Sequence, residues 1–162
     1  MKKIFILLFI LISMNLLAQV EDSTQVKYWI NLGARTQNKD LSMHYSFNIA
    51  FDNLSFSTML LGTGRILGPN SDGYSTTSVT TSIGYNLSSR YYLFAVFAGP
   101  GINWGQNYNY PGIQNFNTIC FSTNAQAYFL PIRNLGIGLE YIINLNEEYS
   151  FNHFQFSINI IF

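Results

Sequence analysis

From Phe154 onward the chain alternates: Phe154, Phe156, Ile158, Ile160 and Phe162 are apolar, with Gln155, Ser157 and Asn159 between them. A period of two is the signature of a strand with two unlike faces. The same pattern recurs upstream. Tyr28, Ile30, Leu32 and Ala34 form one face, and Leu41, Met43, Tyr45, Phe47, Ile49 and Phe51 a second. Leu54, Phe56, Thr58 and Leu60 form a third, and Thr77, Val79, Thr81, Ile83, Tyr85 and Leu87 a fourth. The fifth segment, Tyr91 to Trp104, is apolar on both faces. Ile119, Phe121, Thr123, Ala125, Ala127 and Phe129 make the sixth face; Leu135, Ile137, Leu139, Tyr141, Ile143 and Leu145 make the seventh. Their β-branched and aromatic content agrees with eight strands.

On these apolar faces there is no Lys, Arg, Asp, Glu, Asn or Gln. A charge facing lipid at mid-depth costs about 2–4 kcal/mol, so a lipid-facing wall should show that exclusion. Strands of about 10 residues, tilted about 40°, span about 25 Å, the height of an outer-membrane apolar band. The links also sort by parity. Residues 52–53, 88–90 and 130–134 are short connections, whereas 66–76, 105–118 and 146–152 are longer, with 36–40 the exception. Short periplasmic turns, longer outer loops and two periplasmic termini belong to an even-stranded membrane barrel. The expected fold is all-β: an eight-stranded antiparallel up-and-down transmembrane β-barrel. Its last strand pairs with its first, so the chain can stop inside a strand without leaving an edge. Tyr28, Tyr85, Tyr92, Trp104 and Tyr141 stand toward strand ends and are candidates for the interfacial aromatic girdles.

Two segments fit less cleanly. Met59 and Leu61 fall on the inward face of the third strand, as do Leu93 and Phe97 in the fifth. A bulge would re-phase either one. Pro100 cannot donate to a ladder, which makes Gly-Pro-Gly at 99–101 a candidate bulge.

The front end is different in kind. Lys2 and Lys3 precede nine unbroken apolar residues, Ile4 to Ile12, and Ala18 is a small residue suited to cleavage. That is a secretory signal peptide; a membrane-spanning helix needs about 20 apolar residues. The expected organisation is a signal peptide at 1–18, a short N-terminal segment at 19–26 and one barrel domain at 27–162. Without 1–18 the chain keeps six basic and eight acidic side chains, which leaves no basic footprint for nucleic acid. Charged residues make up only 10% of the chain and aromatics 17%, against about 25% charged in a typical soluble domain. The sole cysteine, Cys120, excludes an internal disulfide.

The ending FQFSINIIF resembles the C-terminal signal of outer-membrane barrels. The resemblance implies that Phe154, Phe156, Ile158, Ile160 and Phe162 are read by the barrel-assembly machinery. The whole mature chain is similar to small eight-stranded barrels of the OmpA transmembrane-domain and OmpX type. LFAVFAGPGINWG at 93–105 and the LLAQ ending of the signal resemble chains of this kind from Bacteroidota. The implied location is the outer membrane, with membrane lipid as surroundings and a monomer as the expected state. No counterpart of the peptidoglycan-binding domain of full OmpA-type proteins is expected after the barrel.

Candidate chemistry is sparse. Eight strands enclose an interior just wide enough for side chains to fill, so a wide diffusion pore is not expected. Glu140 lies mid-strand on the inward face, and a buried carboxylate needs partners. Arg35 and Arg65 also point inward toward the outer end. An interior network of Glu140, Arg35, Arg65, His44 and Tyr128, with Asn48 and Gln126 beside it, is the structural expectation. His44 and Ser46 share a face and raise the alternative of a lipid A-modifying enzyme, but no third group is identifiable, and His153 reads as isolated. There is no Cys/His metal spacing and no phosphate-binding loop, so no cofactor is expected. The Tyr- and Asn-rich link 105–118 is the candidate site for an extracellular glycan or protein. The function these readings imply is a structural or surface-interaction protein without catalytic activity. A soluble lipocalin-like binding barrel, with the opposite face apolar, is the remaining alternative.

Overall fold

The computed structural model describes residues 26–37, 40–64, 73–109 and 112–162. The expected signal peptide and Arg65 lie outside these residues. Eight strands follow one another: β1 Val26–Gln37, β2 Asp40–Phe51, β3 Leu54–Gly64, β4 Tyr74–Ser88, β5 Tyr92–Asn107, β6 Gln114–Ile132, β7 Leu135–Asn146 and β8 Phe151–Ile161. Each pairs antiparallel with its neighbour, and β8 pairs with β1, closing the barrel. The fold is the eight-stranded antiparallel up-and-down barrel that the alternation predicts.

The phase of the alternation decides which side each residue faces. Val96, Ile83, Phe121, Phe156 and Ile158 stand exposed on the outside. Asn31, Asn48, Ser57, Thr80, Asn103, Asn124 and Asn159 are buried inside. Lys27, Arg35 and Glu140, the charged residues of the strands whose side chains are described, all lie on the inward phase. The girdle candidates Tyr28, Tyr85, Trp104 and Tyr141 are on the outer wall.

The suspected re-phasing does not occur. Met59, Leu61, Leu93 and Phe97 are buried inside, in step with their strands. Around Pro100 the β4–β5 ladder misses two rungs, yet Thr80↔Gly101 and Ile83↔Ala98 keep one register. Pro100 stays paired with Phe121 on the β6 side. Glycine explains the tight fit: a Cβ on Gly99 would strike the backbone of Thr81 and Ser82. The register shift falls elsewhere, between Phe129 and Ile132 at the β6–β7 turn, where Pro131 stands. These four apolar residues point inward because the lumen needs filling at levels where no polar partner is supplied. Trp29, Ala50, Leu93, Ala95, Phe97, Tyr128 and Leu130 form one apolar layer toward the turn end, and Met59, Leu61 and Ile142 a second.

The link 105–118 is mostly wall. Gln106↔Asn115 and Asn107↔Gln114 extend the β5–β6 hairpin, so only residues 108–113 connect the strands. The sequence reading misplaced this boundary because Asn, Gln and Gly are poor strand formers, whereas cross-strand pairing overrides propensity. The two-residue turn at Asp52–Asn53 is as expected, with Asp52 at φ 53°, a left-handed conformation that Asp tolerates. At the opposite end, Tyr74 stacks on Tyr149 at 4.5 Å, Tyr149 meets Phe151 in a tilted contact at 5.6 Å, and Phe151 stacks on His153 at 5.7 Å. This row of rings leads from the loops into the lumen.

Candidate functional site

Glu140 is fully buried, as inward phase at mid-strand requires. Taking a carboxylate from water is costly unless donors replace the lost hydration. Three side chains surround it. Tyr128 Oη donates to Oε1. Gln155 Nε2 donates to Oε2 at 3.0 Å. His44 Nε2 lies 2.7 Å from Oε2; it makes no aligned hydrogen bond, so this is a close charge contact rather than a directed one.

The network extends both ways along the lumen. Toward the turn end, Tyr128 Oη and Ser157 Oγ share a hydrogen bond of 2.7 Å. Toward the loop end, Gln155 contacts His44 Nδ1, and Gln155 Oε1 meets His153 Nε2 at 3.2 Å. Ser42 Oγ stands 3.4 Å from the same His153 nitrogen. Two glycines make room. A side chain on Gly33 would occupy the space of the His44 ring and the Gln155 amide, and one on Gly138 would strike the Tyr128 ring.

The geometry revises the sequence expectation in detail. Glu140, His44 and Tyr128 do come together. Arg35 does not join them: it pairs across β1–β2 with Ser42, beyond the level of Gly33↔His44 toward the loops. Its side chain is half-buried and makes no ion pair among the described residues. Gln126 and Asn48 serve a different layer, around Trp29. Trp29 Nε1 donates to Gln126 Oε1 at 3.4 Å, and Asn48 Nδ2 donates to the Trp29 carbonyl at 3.2 Å. Gln155, Ser157 and His153 were missed. The sequence held no sufficient signal: a symmetric count from the 146–152 link sets Glu140 opposite Ile158, whereas the observed register pairs it with Gln155. His153, read as isolated, lies between Ser42 and Gln155.

Both His44 nitrogens face other partners, so neither is free to activate Ser46, whose Oγ instead accepts from Asn48. His153 uses one nitrogen toward both Ser42 and Gln155. Among the described residues no three His, Cys, Asp or Glu side chains cluster to hold a metal ion.

No protein-family model matches the chain, and a search of curated proteins finds no match. Solved structures do share its fold. The N-terminal β-barrel domain of Pseudomonas aeruginosa OprF aligns over 87% of this chain and 100% of its own, at 10% identity and a TM-score of 0.63. Neisserial surface protein A aligns over 83% and 94%, at 12% identity and a TM-score of 0.59. The attachment invasion locus protein Ail of Yersinia pestis aligns over 85% and 96%, at 10% identity and a TM-score of 0.54. These neighbours are small eight-stranded outer-membrane barrels, and at such identities the likeness is one of fold.

Proposed function

We propose that this protein is an integral outer-membrane β-barrel, with both mature termini in the periplasm, acting as a structural or surface-interaction protein through its loop end. The observation that carries the reading is the inverted wall. Apolar side chains of all eight strands face outward, whereas the described charged side chains of the strands and most of their amides face a packed lumen, the outward amides Gln106, Asn115, Asn117 and Asn152 standing near the loop end. In water that arrangement would expose a continuous apolar surface far beyond what a soluble monomer tolerates. In lipid it is the required one, and closure leaves no long open edge. A lipocalin-like barrel needs the opposite polarity.

The C-terminal residues fit a role as assembly signal. Phe162 N donates to the Tyr28 carbonyl at 2.9 Å, and Ile161 N to the Asn134 carbonyl at 3.0 Å. The last strand is therefore held on both sides at the turn end. Kinship with OmpA transmembrane domains and OmpX-like barrels of Bacteroidota belongs to the same proposal, on the ending FQFSINIIF and the Gly-spaced fifth strand. So does export through residues 1–18; the mature protein should begin at Gln19 by N-terminal sequencing. The lumen network is a stabilising core under this reading, not a catalytic centre. A glycan or protein partner would meet the tip of the β5–β6 hairpin, residues 108–113.

The test is the behaviour of outer membranes carrying the protein on SDS gels. A closed barrel resists SDS until heated, so the band should shift on boiling. An unshifted band, with the protein in the soluble periplasmic fraction, would overturn the reading.

A further inference from the structure

The outer wall changes character over three outward rungs of the β4–β5–β6 sheet. Val79, Ile102 and Ile119 pair across the first, and all three are exposed apolar side chains. Thr77, Trp104 and Asn117 form the next, and Ser75, Gln106 and Asn115 the one above it. An indole at such a change marks a membrane–water boundary. Above Trp104 the sheet continues as a surface of amides and hydroxyls. The ladder between β6 and β7 starts at Cys120↔Asn146, so the β5–β6 hairpin rises past β7 on that side.

This surface is organised. Tyr108 Oη donates to Gln106 Oε1 at 2.6 Å, and Gln106 Nε2 donates to Asn115 Oδ1 at 3.2 Å. The relay sets which way each amide points. It turns the Asn115 amino group outward, beside the exposed Asn117 amide. No residue from 102 to 119 is charged. An anionic headgroup therefore finds no cation on this hairpin, and a hydrocarbon chain would leave its amides without hydrogen bonds. A neutral sugar satisfies both conditions. Its hydroxyls exchange hydrogen bonds with amides, and its C–H face packs on an aromatic ring.

We infer that the outer face of the β5–β6 hairpin binds the uncharged saccharide headgroup of a glycolipid, with Trp104 against the sugar ring and Gln106, Asn115 and Asn117 on its hydroxyls. The source is a lipid rather than a free sugar because the patch is continuous with the apolar wall below it. The acyl chains of the same molecule lie against Ile102 and Ile119, both exposed on that wall. The inference rests on the outer-membrane reading, and it sets a glycan on the stem of the hairpin rather than on its tip.

The probe is monogalactosyl diacylglycerol with a photoreactive diazirine on the galactose, doped into phosphatidylcholine nanodiscs holding the full mature chain. After irradiation, adducts should concentrate on residues 75–77 and 104–117, and be scarce at the turn end around Tyr28 and Tyr85. Trp104→Ala should lower hairpin labelling about fivefold, through loss of one ring contact. Gln106→Leu with Asn115→Leu should lower it about tenfold, through loss of two hydrogen bonds. Tyr85→Ala, which removes a ring at the opposite boundary, should leave it unchanged. Folding of each variant is checked by the heat shift. Three results would each overturn the inference while leaving the membrane reading intact. One is equal hairpin labelling by phosphatidylcholine carrying the same diazirine on its headgroup. Another is wild-type labelling of the Trp104→Ala or the double-leucine barrel. The third is full protection of the hairpin by excess methyl galactoside, which would make the ligand a soluble sugar. Protein that fails to co-elute with the discs would overturn both readings.

Discussion

The tallest and the shortest seams of this barrel are built by different means. The β5–β6 hairpin is paired without interruption from Tyr92↔Phe129 to Asn107↔Gln114, so its backbone ladder runs the full length of β5, with one side-chain bond, Gln106 Nε2 to Asn115 Oδ1 at 3.2 Å, added near the tip. The β1–β8 seam has six rungs and a splayed upper half, spanned on the inside by His44, Gln155, His153 and Ser42. The difference follows from chain connectivity. A hairpin closes a loop of a few residues, whereas joining the first strand to the last closes nearly the whole domain and comes at a greater entropic cost. Where the ladder is cut short, buried side-chain bonds hold the wall. The Glu140 network is thus a substitute for backbone pairing at the most remote contact in the chain.

Breaking that substitute should have the largest effect. Glu140→Ala leaves His44 and the Gln155 amide buried without their acceptor, and should cost about 3–5 kcal/mol in urea unfolding of the lipid-embedded barrel. A wild-type midpoint would show that the network does not hold the seam. Next in size is a charge on the outer wall away from either seam end. Ile83→Arg should cost about 2–4 kcal/mol in lipid if this side chain sits near mid-depth, and a loss confined to a few tenths would contradict a lipid-facing wall. Gly33→Ala puts a methyl where the His44 ring and Gln155 amide cross β1, and should cost about 1–3 kcal/mol as overpacking. An unchanged stability would mean that the two side chains have room elsewhere. The smallest effect belongs to the tall hairpin's tip. Replacing 109–112 by a Gly-Ser turn should shift unfolding by no more than about 0.5 kcal/mol, because the paired wall ends at Asn107↔Gln114. A larger loss would place that tip among the structural elements.

Much of the wall was legible because alternation is a local property. A residue's phase within its own strand decides whether it meets the lumen, and that phase can be read without knowing any partner. Met59, Leu61, Leu93 and Phe97 tested this reading: they looked out of step by polarity, and phase was the better guide. The site was legible only in part. Glu140, His44 and Tyr128 were expected inside, and they meet there. Arg35 was expected with them and stands apart, because the depth of a side chain depends on register between strands rather than on its face. Gln155 lies directly opposite Glu140, a relation set by hairpin geometry, and its bond to His44 crosses an intervening strand.

By itself, then, the sequence determined the number of strands, their antiparallel order and, in every strand but the fifth, two unlike faces, because period-two patterning is written in neighbouring residues. Tertiary structure alone decided where the ladder between β1 and β8 stops and which buried side chains take over. Those contacts join residues more than a hundred positions apart. Their geometry depends on how eight registers add up around a closed wall, a quantity no single strand contains.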